Sequence, residues 1–487
     1  MDPYQILLLI AGYFGLLVLV SFFTNRGGSN ADFFKASKQS PWYLVAFGMI
    51  GASLSGVTFI SVPGWVEVSQ FSYMQVVFGY IVGYLVIGTV LLPLYYRLNL
   101  TSIYTYLGER FGNYSYKTGA SFFLISRIVG CAFRLYLVAI VLQYIIFDSI
   151  GVPFWATVSA TILLIWIYTF KSGIKTIVWT DTFQTLFMLL ALGVAIFYVS
   201  EDLGLDFANI VDYVSESEFS KMFFFENYKS NDYFWKQFIS GAFIAIVMTG
   251  LDQDMMQKNL TCRNLKEAQK NMFWFTIVLA IVTFIFLLLG LLLTEYALQH
   301  GITANGDQLF PEIATSGELG FGIAIFFILG LVAAAYSSAD SALTALTTSF
   351  SIDILEIEKK HSEAKQVKIR KQVHIIISLV LIATILTFKY IIADASVIAK
   401  LFVFAGYTYG PLLGLYSFGL FSKWKVKDKL VPAVAILSPI LSYIISMYSL
   451  EKFNFEWGFF ILILNGALTY LGLLLIKKTE VSAEVAD

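Results

Sequence analysis

Between residues 4 and 476 the chain strings together about thirteen apolar stretches, most close to twenty residues or longer. A helix needs about 20 apolar residues to cross roughly 30 Å of hydrocarbon. Lipid admits only elements that satisfy their own backbone hydrogen bonds. Such a chain is expected to be all-α: one polytopic membrane domain over 1–487. The stretches lie near 4–23, 42–68, 73–96, 118–148, 152–170, 176–200, 233–252, 272–298, 317–350, 373–392, 396–421, 430–449 and 457–476. Two of them, 42–68 and 317–350, are long enough to contain a break or a tilt. The first lacks a basic leader and a small-residue cleavage site, so it is expected to span rather than to be a signal peptide.

Composition agrees. Charged residues make up 13% of the chain, against roughly 25% in soluble proteins. The longest segments between spans run to about 30 residues, too short for a soluble catalytic domain, and no enzyme is expected. A net charge of −1 implies no nucleic-acid partner. Cys131 and Cys262 suggest neither a disulfide framework nor a metal site. A monomer in the cell membrane is expected.

Basic residues alternate between loops. One set of loops carries Arg26, Lys35 and Lys38; Arg97, Arg110 and Lys117; Lys171 and Lys175; Lys258, Arg263, Lys266 and Lys270; Lys359 to Lys371; and Lys423 to Lys429. The opposite loops hold acids such as Glu201, Asp202, Asp206 and Asp212. Basic loops stay cytoplasmic, which predicts an outside N-terminus and a cytoplasmic C-terminus.

Polar groups at membrane depth are expensive and mark function. Four places hold them. The run Gly51-Ala52-Ser53-Leu54-Ser55-Gly56-Val57-Thr58 is weak helix whose backbone can open and offer carbonyls to a hard cation; otherwise it is a small-residue packing face. In the ninth span, Ser337, Asp340 and Ser341 share one helical face, either as a cation cage or as hydroxyls bonded to their own helix. Asp181 starts the sixth span, where a helix N-terminus favours an acid. Arg134 lies mid-span and requires an internal acid or an anionic ligand. Its neighbour Arg127, nearer the helix end, is expected to snorkel.

Five stretches together carry a resemblance: GASLSGVTFISVPG at 51–64, TSIYTYLGERFG at 101–112, WTDTFQ at 179–184, DQDMMQKNLTCRNLKEAQK at 252–270, and AAAYSSADSALTAL at 333–346 with GYTYGPLLGLY at 406–416. In this order and spacing the chain resembles the sodium/solute symporters. The resemblance implies a LeuT-type five-plus-five inverted repeat, with 4–23 preceding it, 42–200 and 233–421 as the repeats, and 430–476 as two further helices. It implies a sodium site from Gly51, Leu54, Ala334, Ser337 and Ser338, and in some members a second sodium on Asp181 with Ser337, Asp340 and Ser341. Asp340 departs here from the serine of sialic acid carriers. At the substrate, Val57, Thr58, Met248 and Thr249 depart from the sugar-carrier pattern. Ser53, Ser55, Thr58 and Arg134 agree better with sialic acid carriers, and Gln75 adds an amide. The expectation is sodium-coupled import of a small carboxylate such as a sialic or other sugar acid. A proton-coupled carrier, with Asp181 or Asp340 titrating, is the alternative, as is a symporter of a neutral sugar, an amino acid or a monocarboxylate.

Overall fold

A computed structural model describes residues 3–24, 40–169, 174–206, 208–391 and 397–481. Arg26, Lys35, Lys38 and Lys171 of the basic series lie outside them.

The chain runs through α1 (Pro3–Thr24), α2 (Trp42–Ser53), α3 (Gly56–Gly64), α4 (Tyr73–Val86, continuing to Arg97), α5 (Asn113–Leu142), α6 (Phe154–Thr169) and α7 (Ile174–Asp202). It continues through α8 (Phe234–Ala245, extended to Gly250 by a π turn), α9 (Gln253–Asn259), α10 (Leu265–His300), α11 (Phe321–Ser349), α12 (Glu363–Ile391), α13 (Val397–Phe421), α14 (Val431–Phe453) and α15 (Ile461–Leu475). Among the described residues nine helices are long and apolar enough to cross a membrane, and two bent pairs, α2/α3 and α8/α9, raise that to eleven. The other two expected spans, 152–170 and 396–421, are occupied by α6 and α13. The β pairing among the described residues is a two-stranded antiparallel sheet, Trp424–Val426 with Lys477–Val481, and a bridge between Ser40 and Cys262.

The outer faces of the bundle expose Leu8, Phe22, Leu379 and Ile436, each at least half open. Bare apolar surface of that extent is unusual for a protein in water and is the contact surface of one in lipid. Inside, helices approach closely where side chains are missing. In α4, Gly79 and Gly83 stand one turn apart against α8. A Cβ at Gly79 would come within 2.0 Å of the Phe238 carbonyl oxygen, and one at Gly241 within 2.1 Å of that of Val76. Small residues at such spacing let two backbones touch.

Loops that the charge pattern assigns to one side meet at one end of the bundle. Lys117 pairs with Glu356 at 2.7 Å. Arg110 donates to the carbonyls of Gly419, Ser422 and Trp424, and Asp428 accepts from the Tyr114 and Ser115 amides. At the other end, Gln75 reaches Asp232 and Phe224, and Lys236 donates to the Glu456 carbonyl.

Of the two segments long enough for a break or a tilt, 317–350 holds no break: α11 is continuous through Ser349. Its threonines point back along their own helix, Thr347 to the Leu343 carbonyl and Thr348 to that of Thr344. A second break, not expected from the sequence, lies after Gly250, where α8 and α9 meet at 70°. The stretch from 253, expected as an exposed loop, begins with the buried helix α9.

Candidate sodium and substrate sites

The first break opens where the small-residue run predicted weakness. The helical ladder ends with the Leu54 amide on the Ile50 carbonyl and resumes with the Phe59 amide on that of Ser55. Ser55 is extended between them, and α2 and α3 diverge by 54°. The carbonyls of residues 51–54 therefore lose their partners four residues on.

The face they meet belongs to α11. Ser338 donates to the Ala52 carbonyl at 3.3 Å. A Cβ on Gly51 would stand 3.3 Å from the Ser337 Oγ and 2.1 Å from the Thr185 Oγ1, so glycine is what admits α2 to this contact. Leu54, Ala334, Ser337 and Ser338 are all buried. The structure thus sets Gly51 against Ser337 and Ala52 against Ser338, with Leu54 and Ala334 buried on the same two helices. Carbonyls released from the helical ladder and serine hydroxyls are hard, neutral oxygen donors, which suit an alkali cation.

One step deeper lies Asp181, fully buried on α7. It accepts a hydrogen bond from Ser337 at 2.8 Å and another from Ser341 at 3.4 Å. Because the Ser337 proton points at Asp181, its lone pairs are left for the 51–54 side. Asp340 is equally buried on α11. The third group on Asp181 was not expected: Lys258 Nζ stands 2.7 Å from its Oδ2. Lys258, counted in the basic-loop series, is 1% exposed on α9.

Beside the break is a cavity lined by Ser53, Ser55, Thr58 and Arg134, with Arg127, Tyr73, Tyr80, Tyr84 and Phe402. Arg134 Nε is buried with no hydrogen-bond partner among the described residues, and no acid there pairs with its guanidinium. The internal-pair alternative for Arg134 is thereby disfavoured. The tyrosines were missed by sequence reasoning, although their spacing along α4 places all three on one face. Gln75 is a correction: it does not line the cavity. Its amide donates to the Asp232 carbonyl at 2.8 Å and accepts from the Phe224 amide at 3.1 Å, so it fastens the 208–233 segment.

Arg127 is a second correction. It does not snorkel but is 5% exposed and forms an ion pair with Asp254, with Asp252 at 3.8 Å. Asp252 caps α9 through the Asp254 and Met255 amides and accepts from the Tyr409 hydroxyl at 2.5 Å. Gln253 holds the Thr101 carbonyl and the Ile103 amide. In this structure α9 is therefore fastened to α5, α7, α13 and the 97–112 segment. These polar residues can be buried because each has a partner.

Comparison with known proteins agrees with this geometry. The sodium:solute symporter family model matches residues 33–426. The chain is 26% identical over 455 residues to the sodium/sialic acid symporter NanT of Aliivibrio fischeri, covering 88% of this chain and 85% of that one. It is 24% identical over 468 residues to the sodium/sialic acid symporter SiaT of Proteus mirabilis, covering 92% and 90%. Among solved structures, a Na+-coupled sialic acid symporter, substrate-bound and outward-open, superposes with a TM-score of 0.81 at 21% identity over 99% of both chains. The fold is thus the LeuT type, and the chain, a multi-pass membrane transporter rather than an enzyme, belongs to the sodium:solute symporter family.

Proposed function

We propose that this symporter imports a hydroxyl-rich carboxylate, sialic acid, together with sodium. The observation that carries the substrate class is Arg134: a guanidinium lining the cavity beside an opened helix, with no ion-pair partner among the described residues. Arginine presents two parallel N–H groups that fit a carboxylate, and an unpaired charge at that depth needs such a ligand. Ser53, Ser55 and Thr58 supply hydroxyls for the rest of the solute, and the tyrosine face of α4 covers its apolar side.

Sodium binds between the 51–54 carbonyls and the α11 serines. Its ligands are Gly51, Leu54 and Ala334 through their backbones and Ser337 and Ser338 through their hydroxyls. The ion draws α2 onto α11 and so fixes the cavity wall formed by Ser53 and Ser55, which couples the two ligands. The breaks α2/α3 and α8/α9 hold matching places in 42–200 and 233–421, as two inverted repeats require. Rocking of these repeats about the shared site exposes it to one side, then the other. The meeting of the basic loops at one bundle end supports a cytoplasmic placement of that end in the cell membrane.

Calorimetry of the purified protein with sialic acid tests this. Binding is expected in sodium chloride and not in potassium chloride of equal strength. Equal binding in both salts, or binding only of uncharged sugars, would overturn it.

A further inference from the structure

The Asp181 carboxylate, to which a second cation would go, already has one. Asp181 lies fully buried between α7, α9 and α11, and takes hydroxyl protons from Ser337 and Ser341. The Lys258 ammonium contacts its Oδ2 at 2.7 Å from a side chain 1% exposed. Three hydroxyl and ammonium donors thus converge on one carboxylate, with the positive charge supplied by the chain itself.

We infer that Lys258 is a tethered cation that fills the Asp181 position in place of a second sodium, so that the protein loads one sodium ion per cycle. The inference rests on the sodium-site assignment above and refines it. Two monovalent cations on one buried carboxylate repel each other strongly, because little solvent is present to screen them. A covalently attached ammonium also holds an advantage over a free ion, since its effective concentration at the site is set by the helix that carries it. That helix is α9, which is fastened by Asp252, Gln253 and Asp254 to the neighbouring elements. While α9 is docked, Asp181 is neutralised and its remaining acceptor capacity orients Ser337, whose lone pairs face the single sodium. Lys258 thereby links the end of the bundle that α9 closes to the ion site. With one sodium and one monovalent carboxylate, net charge movement per cycle is zero.

Binding of radioactive sodium to the purified protein, without any organic substrate, reads the stoichiometry directly. One ion per wild-type chain is expected. Lys258→Met keeps much of the apolar stem and removes the charge; it is expected to bind two ions, and the double variant Lys258→Met with Asp181→Asn to return to one. Two ions on the wild type would overturn the inference, most directly if Asp181→Asn or Asp340→Asn removed one of them, while leaving the first sodium site standing. No ion on the wild type would instead overturn the sodium site itself. Should Lys258→Met fail to fold, the wild-type count alone still decides.

Discussion

Arg134→Ala is expected to lower sodium-driven uptake of sialic acid into proteoliposomes by roughly 30- to 1,000-fold. The substitution removes a paired charge-assisted contact. Hydrogen bonds to charged groups contribute about 1.5–3 kcal/mol each, so a bidentate contact, not fully additive, is worth about 2–4 kcal/mol. At about 1.4 kcal/mol per decade this gives the stated range. Folding should survive, because no protein acid is left orphaned: Arg134 has none as partner among the described residues. Arg134→Lys should retain part of the activity, since the charge remains and the fork is lost. Wild-type uptake by Arg134→Ala would remove the carboxylate assignment.

Gly79→Val should cause the largest loss of stability. Its first added carbon would stand 2.0 Å from the Phe238 carbonyl oxygen, 2.7 Å from the Ala242 amide nitrogen and 2.9 Å from the Gly241 Cα. These are backbone atoms, which cannot swing aside as a side-chain end can. Gly83 repeats the contact one turn later, 2.4 Å from the Ala242 carbonyl oxygen. Forcing α4 and α8 apart opens the interface along its length, and a cost of about 3 kcal/mol or more is expected, at the upper end of overpacking. The fraction of monodisperse protein left after heating in detergent measures it, and an unchanged midpoint would contradict the contact. The pair bears on transport as well. Locked backbones make α4 and α8 move together, so the half-helix that lines the substrate cavity through Ala245 and Met248 carries α4 and its tyrosines with it.

Some of this was legible in the sequence because the cause is local. Residues 51–58 contain two glycines and three hydroxyl side chains, and their helix weakens for reasons visible in the run itself. The opened backbone lies where that run predicts it. Other features depend on distant partners. Residues 252–258 carry three charges and read as a loop; they form a buried helix because Arg127 answers Asp254, Tyr409 answers Asp252 and Asp181 answers Lys258. No pattern within 252–258 states that those partners exist. The hydroxyl run of α11 leaves two readings open in the sequence, a cation cage or hydroxyls bonded to their own helix, and the structure divides them: Thr347 and Thr348 bond within the helix while Ser337 and Ser338 reach neighbours. Gln75 shows a third limit. Its span was placed correctly, but side-chain direction on a helix that is apolar all round cannot be read from periodicity.

The central claim is that sodium sits between the opened backbone at 51–54 and the serines of α11, and that its binding orders the substrate cavity. The sodium dependence of sialic acid binding to Ser338→Ala tests it most directly. Loss of one neutral oxygen ligand, at about 1–1.5 kcal/mol, should raise the half-saturating sodium concentration roughly 5- to 10-fold, while affinity for sialic acid at saturating sodium stays near the wild-type value. A half-saturating sodium concentration equal to that of the wild type would contradict the claim.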